Sequence, residues 1–438
     1  MTLTAPPTTD LASTAASTER RAALPVAIIG AGPIGLAAAA HLLERGIEPI
    51  VYEKGAGVAS AIAAWGHTRL FSPWSLLVDS AAERLLEPTG WQAPPADELP
   101  TGSELIDAYL APLAATPQLA GRIRYGVEVL QVSRAGMDRT RSADRDWAPF
   151  VLRIRTADGL DEVHARAVID ASGTASSPNR LASSGLDPLG LDEVRDLVDP
   201  ALPDVLGRDR HRYAGRHTLV VGAGHSAANT LLALARLAET DPGTRITWAI
   251  RTATTARISA DAEDQLPARG ALGGSLDALV ARGVVTRVER FEIQTLASHA
   301  GGVRVRGLRA GEPHTIDVDR IVNATGFRPD LDMLREIRLE LDEVVEAPRR
   351  LAPMIDPNVH SCGTVPVHGV DELRHPERDF FIVGMKSYGR APTFLLATGY
   401  EQVRSIVAWL AGDLAGARRI ELTLPATGVC RTDAGGCC

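Results

Sequence analysis

Three of the four cysteines in this 438-residue chain, Cys430, Cys437 and Cys438, fall within its last nine residues, and the fourth is Cys362. Neighbouring Cα atoms sit about 3.8 Å apart across a trans peptide, below the roughly 4.4 Å at which disulfides begin. Cys437 and Cys438 are therefore poorly placed to bond to each other without strain. Both sulfurs can face one soft ion, and Gly435 and Gly436 let the chain fold back so that Cys430 supplies a third. Thiolates select thiophilic centres, and three of them suit a pyramidal trivalent arsenic or antimony species. The competing reading is an unstructured tail whose cysteines do nothing. No metal is expected at His360, Cys362 and His368 in "NVHSCGTVPVHG", because no second cysteine or carboxylate stands at a fixed spacing.

Two glycine-rich turns could bind phosphate. "PVAIIGAGPIGLAAAAHLLERGIEPIVYEKG" reads as a buried strand, a turn on Gly30, Gly32 and Gly35, an alanine-rich helix and a second strand carrying Glu53. The first glycine permits the tight turn, the second lets a pyrophosphate approach the backbone, and the third lets helix and strand pack closely. The helix N-terminus faces the phosphate charge, and Glu53, roughly 20 residues on, can accept hydrogen bonds from ribose hydroxyls. "HTLVVGAGHSAANTLLALARLAETDPGTRITWAIRT" repeats the pattern with Gly222, Gly224 and Ser226, and Ala227 replaces the third glycine. Here Arg251 ends the second strand where the first unit has Glu53. A cation there suits a 2′-phosphate, so this unit is expected to prefer NADPH to NADH.

Each unit closes on a related segment, "ARAVIDASGTASSPN" and "VDRIVNATGFRPD", in which small residues such as Thr325 and Gly326 let the chain pass close to bound cofactor. With these motifs, residues 24 to 412 resemble the two-dinucleotide-binding flavoproteins. The resemblance implies an α/β fold of two Rossmann-like dinucleotide-binding domains, the NAD(P)H domain inserted into a split FAD domain. The expected boundaries are a disordered leader over 1–22, the first part of the FAD domain over 23–200, an NADP domain over 201–326, the second part of the FAD domain over 327–415, and a cysteine-rich tail over 416–438. Asp330, with Arg328 and Pro329, leads back into the FAD domain, and "DFFIVGMKSYGRAPTFLLATGY" is expected to complete the flavin site.

Disulfide reductases of this family carry a redox-active cysteine pair beside the flavin, whereas here no cysteine stands between Gly30 and Arg328. Molecular oxygen is then the leading acceptor. "EKGAGVASAIAAWGHTRLFSPWSLLVDS" is similar to flavin-containing monooxygenases, with Trp65, Pro73 and Asp79 at comparable places and Ala63 and Ala64 where that family has a glycine pair. His67, Arg69 and Trp74 in this stretch, and Lys386, Tyr388 and Arg390 in the last one, are expected to border the isoalloxazine. A cation there would stabilise the anionic reduced ring and an aromatic could stack on it. The plainer alternative is that His67 and Trp74 are packing residues and Arg390 a surface charge. The terminal Cys-Cys pair resembles the tail of mercuric reductase, and the whole pattern resembles the flavin monooxygenase-like proteins of bacterial arsenic-resistance operons. That resemblance implies an FAD-dependent NADPH oxidoreductase acting with oxygen on a small-molecule or metalloid substrate. The alternatives are an organic-nitrogen or ketone monooxygenase, or a reductase with a metalloid-binding tail.

Composition narrows the rest. The formal charge of -8 comes without a long basic run, which excludes nucleic-acid binding driven by counterion release. The longest apolar stretch, Pro25 to Leu43, is broken by glycines and Pro33, so no membrane span is expected. The polar, proline-bearing N-terminus does not read as a signal peptide, and a cytoplasmic location follows as the expectation.

Overall fold

The computed structural model describes residues 21–253, 267–358, 365–391 and 394–422, without the side chains of 267–271. All four cysteines, and with them the expected metalloid trap of Cys430, Cys437 and Cys438, lie outside the described residues.

Ten short strands build two all-parallel sheets. β1 (Val26–Ile29), β2 (Pro49–Glu53), β3 (Ile123–Tyr125), β4 (Ala167–Asp170) and β10 (Phe380–Ile382) form the first, in the order β10-β4-β1-β2-β3. β5 (Val198–Pro200), β6 (His217–Val221), β7 (Arg245–Ala249), β8 (Val285–Val288) and β9 (Arg320–Asn323) form the second, in the order β8-β7-β6-β9-β5. The chain leaves the first sheet after β4, completes the whole second sheet, and returns to the edge of the first only with β10, which pairs with β4. The α/β architecture of two Rossmann-like halves, one inserted into the other, is the one the family resemblance implies.

The central strands are mostly apolar because parallel sheets are covered on both faces. In β1, Val26 and Ile28 point to one side, where α1 (Pro33–Glu44) packs against α4 (Leu396–Leu410). Ala37 to Ala40 are fully buried there, and their small side chains let the helix lie close. Ala27 and Ile29 point to the other side, onto a three-stranded antiparallel sheet built from 128–134, 150–156 and 159–165. The second half repeats the plan. Val220 and Trp248 face α2 (His225–Thr240) and α3 (Pro267–Ala281), while Leu219 and Val221 face the antiparallel sheet 291–318.

A buried ionic cluster ties the returning strand to the first half. Glu377, just before β10, is held by Arg134 (Nε to Oε1, 2.7 Å) and Arg145 (Nη2 to Oε2, 2.9 Å), and all three side chains are buried. Burial alone would raise the Glu377 pKa, but hydrogen bonds from Arg145, Arg134 and the Arg338 amide hold it below its ordinary value. Desolvation lowers that of Arg134, whose guanidinium also stacks 3.7 Å from the Phe150 ring. Arg21, which the sequence reading assigns to the leader, pairs with Asp379 in the same region and is buried. Among the described residues, no helix is long and apolar enough to cross a membrane.

Candidate functional site

β1 runs into the first turn at Gly30, whose φ is 102° and where a Cβ would meet Ala171 O at 2.8 Å. A Cβ on Gly35 would lie 1.9 Å from Gly30 O, so helix and turn touch as the motif requires. At Gly32, in contrast, nothing lies within 4 Å of an added Cβ. That glycine is the N-cap of α1, with no side-chain cap and proline in the first turn. Free amides and open space at a helix N-terminus are what a pyrophosphate needs, so the residues fit a dinucleotide. Glu53, buried at the end of β2, accepts from Ala31 N (2.9 Å), Gly55 N (2.8 Å) and Ser60 Oγ (2.6 Å). It therefore fastens the turn to the loop after β2; Oε1 takes two of these bonds and Oε2 one, so Oε2 retains acceptor capacity for a hydroxyl. Trp65 lies over Gly102, where a Cβ would come within 2.9 Å of its ring.

The second turn copies the first. Gly222 has φ 137°, and a Cβ there would meet Ala324 O at 2.1 Å, whereas Gly224, the N-cap of α2, faces open space. Ala227 is fully buried and Ser226 half-buried on the first turn of α2. Trp248 Nε1 donates to Gly222 O (2.7 Å), which locks the turn to β7. Arg251 follows β7, is exposed, and makes no hydrogen bond or ion pair with the described residues.

Both chain passages between the halves meet at one place. Asn179 Nδ2 donates to Thr325 O (3.1 Å), Asn323 Nδ2 to Asn179 O (2.9 Å) and Thr325 Oγ1 to Asn323 Oδ1 (2.7 Å). Main-chain bonds Asn179 N to Gly326 O (2.9 Å) and Arg328 N to Ser177 O (3.0 Å) complete the joint. Thr325 and Gly326 thus form part of this joint, while Asp330 is exposed and accepts from Asp332 N (3.0 Å).

The final glycine-rich segment does reach the first turn. A Cβ on Gly384 or on Gly399 would meet Ile34 of α1, at 3.2 and 2.5 Å. Gln402, fully buried, fixes this segment: it accepts from Gly384 N (2.8 Å) and donates to Ser387 Oγ (3.0 Å) and His368 Nε2 (2.9 Å). Lys386 is buried there, and its Nζ donates to Asp170 Oδ2 (2.7 Å) and Ser172 Oγ (3.1 Å). Ser172 also donates to Asp170 Oδ1 (2.6 Å) and abuts Gly30. The ammonium expected to balance a reduced ring is matched within the fold, directly behind the first glycine turn. Tyr388 is buried edge-on to Phe394 (5.2 Å between centroids), and burial raises its pKa.

The other expected cations lie at the surface. Arg390 is exposed and pairs with Glu346 (2.5 Å). His67 is exposed, and Arg69 bonds Leu99 O and sits 3.9 Å from Glu104. Arg69 lines an open groove of about 520 Å³ with Trp74, Glu98, Leu99, Pro100 and Glu104. Trp74 is buried, and Asp79 is accounted for by capping the helix Ser80–Leu86 and accepting from His41 (3.1 Å). Sequence reasoning missed Asp170, Ser172, Asn179 and Gln402. A signal existed for the first: one of only two lysines in an arginine-rich chain stands in an apolar segment, opposite a strand that ends in aspartate.

Comparison with known proteins agrees with this fold. Residues 27–361 match the profile of the pyridine nucleotide-disulphide oxidoreductases. Among solved structures, bacillithiol disulfide reductase from Bacillus cereus is similar at 21% identity and a TM-score of 0.66, covering 89% of this chain and 99% of that one. The FAD-bound cadaverine monooxygenase of desferrioxamine biosynthesis from Erwinia amylovora is similar at 13% identity and a TM-score of 0.62, covering 92% and 99%. Thiamine thiazole synthase from Metallosphaera sedula is 30% identical over 170 residues, which is 38% of this chain; the chain spans 60% of that relative's length.

Proposed function

Because the chain belongs to the pyridine nucleotide-disulphide oxidoreductase family, we propose that it is an FAD-dependent NADPH oxidoreductase that passes electrons to molecular oxygen, in the manner of a monooxygenase. The observation that carries this reading is the pair of open glycine cradles, at Gly32 and Gly224, in a chain with no cysteine between Gly30 and Arg328. FAD belongs at Gly30, Gly32, Gly35, Glu53 and Trp65, and NADPH at Gly222, Gly224, Ser226, Ala227 and Arg251. When bound, FAD supplies the means to accept a hydride from NADPH and to give electrons to oxygen. Buried Lys386 and Tyr388 position the turn beside it, and the surface residues His67, Arg69 and Arg390 shape the approach. Without a dithiol in the two nucleotide-binding regions, a flavin-to-disulfide relay has no first station.

The substrate reading rests on the tail. Cys430, Cys437 and Cys438 capture a trivalent arsenical and bring it to the flavin. One oxygen atom then goes to arsenic and the other to water; NADPH supplies two electrons and the arsenical two, leaving a less thiophilic pentavalent product. Titrating the reduced protein with arsenite tests this. Free thiols fall and NADPH oxidation rises, and both responses vanish in the C430S/C437S/C438S variant. Loss of thiols without faster NADPH use makes the tail a binding appendage on a reductase. Stimulation by amines in the triple variant moves the substrate to organic nitrogen.

Arg251→Glu separately tests the nucleotide preference. A charge-assisted hydrogen bond is worth about 1.5–3 kcal/mol, so the KM for NADPH is expected to rise about 10- to 100-fold. That for NADH should stay level or fall. An unchanged ratio of the two removes Arg251 from the 2′-phosphate site.

A further inference from the structure

An aromatic side chain of the first half reaches into the second. After Trp65, the chain runs out alongside residues 96–103. Gly102 N donates to Thr68 O (3.0 Å), Ser103 N to Gly66 O (2.8 Å), Leu70 N to Pro100 O (2.8 Å) and Trp74 N to Glu98 O (3.0 Å). Gly66 allows the close approach, since a Cβ there would meet Ser103 Oγ at 2.3 Å. These bonds flank the tip of the loop, where Phe71 leaves its own half. Its ring packs against the core of the second half and lies 5.1 Å from the ring of His225, tilted by 56°. His225 is the first residue of α2, beside the open cradle at Gly224.

We propose that Phe71 is a positioning residue for the pyridine nucleotide. It is supplied by the half that holds the flavin, on a loop anchored at both ends, and it walls the phosphate turn of the other half. A nucleotide settling at Gly222 and Gly224 places its pyrophosphate against the first turn of α2, the turn whose His225 the ring covers. Binding there registers the nicotinamide half against the flavin half through one aromatic contact. The inference rests on the reading of the second half as the NADPH site and adds that the site is incomplete without the first.

NADP⁺ titrated calorimetrically into the flavin-loaded full-length protein tests it without turnover. Phe71→Ala is expected to raise the dissociation constant about tenfold, the worth of an aromatic pair converted at 1.4 kcal/mol per decade. Phe71→Tyr, which keeps the ring, should stay within about twofold of wild type by the same scale. His225→Ala should weaken binding to a similar degree, and the double variant no further, because residues in contact are not additive. If Phe71→Ala does not fold, Phe71→Leu, which keeps apolar volume without the ring, carries the same expectation. Wild-type affinity in the ring-less variants overturns the proposal, as does an equal loss in Phe71→Tyr. If wild type itself binds no NADP⁺, the NADPH reading of the second half falls first and this inference with it.

Discussion

Lys386→Met is expected to destabilise the protein by about 3–5 kcal/mol, because it strands the Asp170 carboxylate in the interior without its partner. Both side chains are almost completely buried, and their charged atoms lie 2.7 Å apart. Ser172 and its own amide would still donate to Asp170 Oδ1, but Oδ2 would keep no partner from Lys386. Adding Asp170→Leu to the first substitution should recover much of the loss, since an apolar pair of similar volume is often as stable as a buried ion pair. Urea denaturation of the four combinations, read as midpoints at constant slope, gives the coupling directly. The same experiment separates two roles for the lysine. A free cation serving the ring would change the flavin reduction potential and leave the urea midpoint alone. A matched one shifts the midpoint and is rescued by the double variant.

Glu377→Ala has an expected effect at least as large, because the two arginines it holds, Arg134 and Arg145, are both buried. Removing it leaves uncompensated guanidinium charge under the Phe150 ring and costs about 3–5 kcal/mol. It also loosens the segment that returns the chain to the first sheet. The pH dependence has a definite sign. The folded pKa of Glu377 lies below its ordinary 4.5, so its contribution is complete above 4.5 and is lost as the pH falls through the lower folded value. A wild-type denaturation midpoint that declines more steeply as the pH falls from 4.5 toward the folded value, and a variant that lacks this component, is the expected result. Midpoints that coincide for the two proteins at neutral pH overturn the assignment.

The two glycine turns were legible in the sequence because their causes are local: strand, glycine, helix and second strand follow one another within about thirty residues. The insertion was legible only through the family resemblance those turns carry, in which a second complete unit interrupts the first before "DFFIVGMKSYG". What the sequence hid are pairings between distant segments. Lys386 meets Asp170 across 216 positions, and Arg134 meets Glu377 across 243. Chemistry alone made Lys386, Arg390 and Arg69 equivalent cations, and only folding distinguishes them, burying the first and exposing the other two. Asp79, whose position resembles a monooxygenase landmark, is explained by a more ordinary need, capping the short helix that follows it.

The joint where Pro178 and Asn179 lie against Gly326 and Phe327 makes the inner half a cartridge. Its inlet and outlet are stitched together, so the outer five-stranded sheet closes over a single neck whatever hangs from it, and lengthening the excursion adds little closure entropy. A lineage can therefore replace the inner half wholesale while leaving the outer sheet and its glycine turn in place. A protein engineer can do the same by cutting at these two adjacent chain passages.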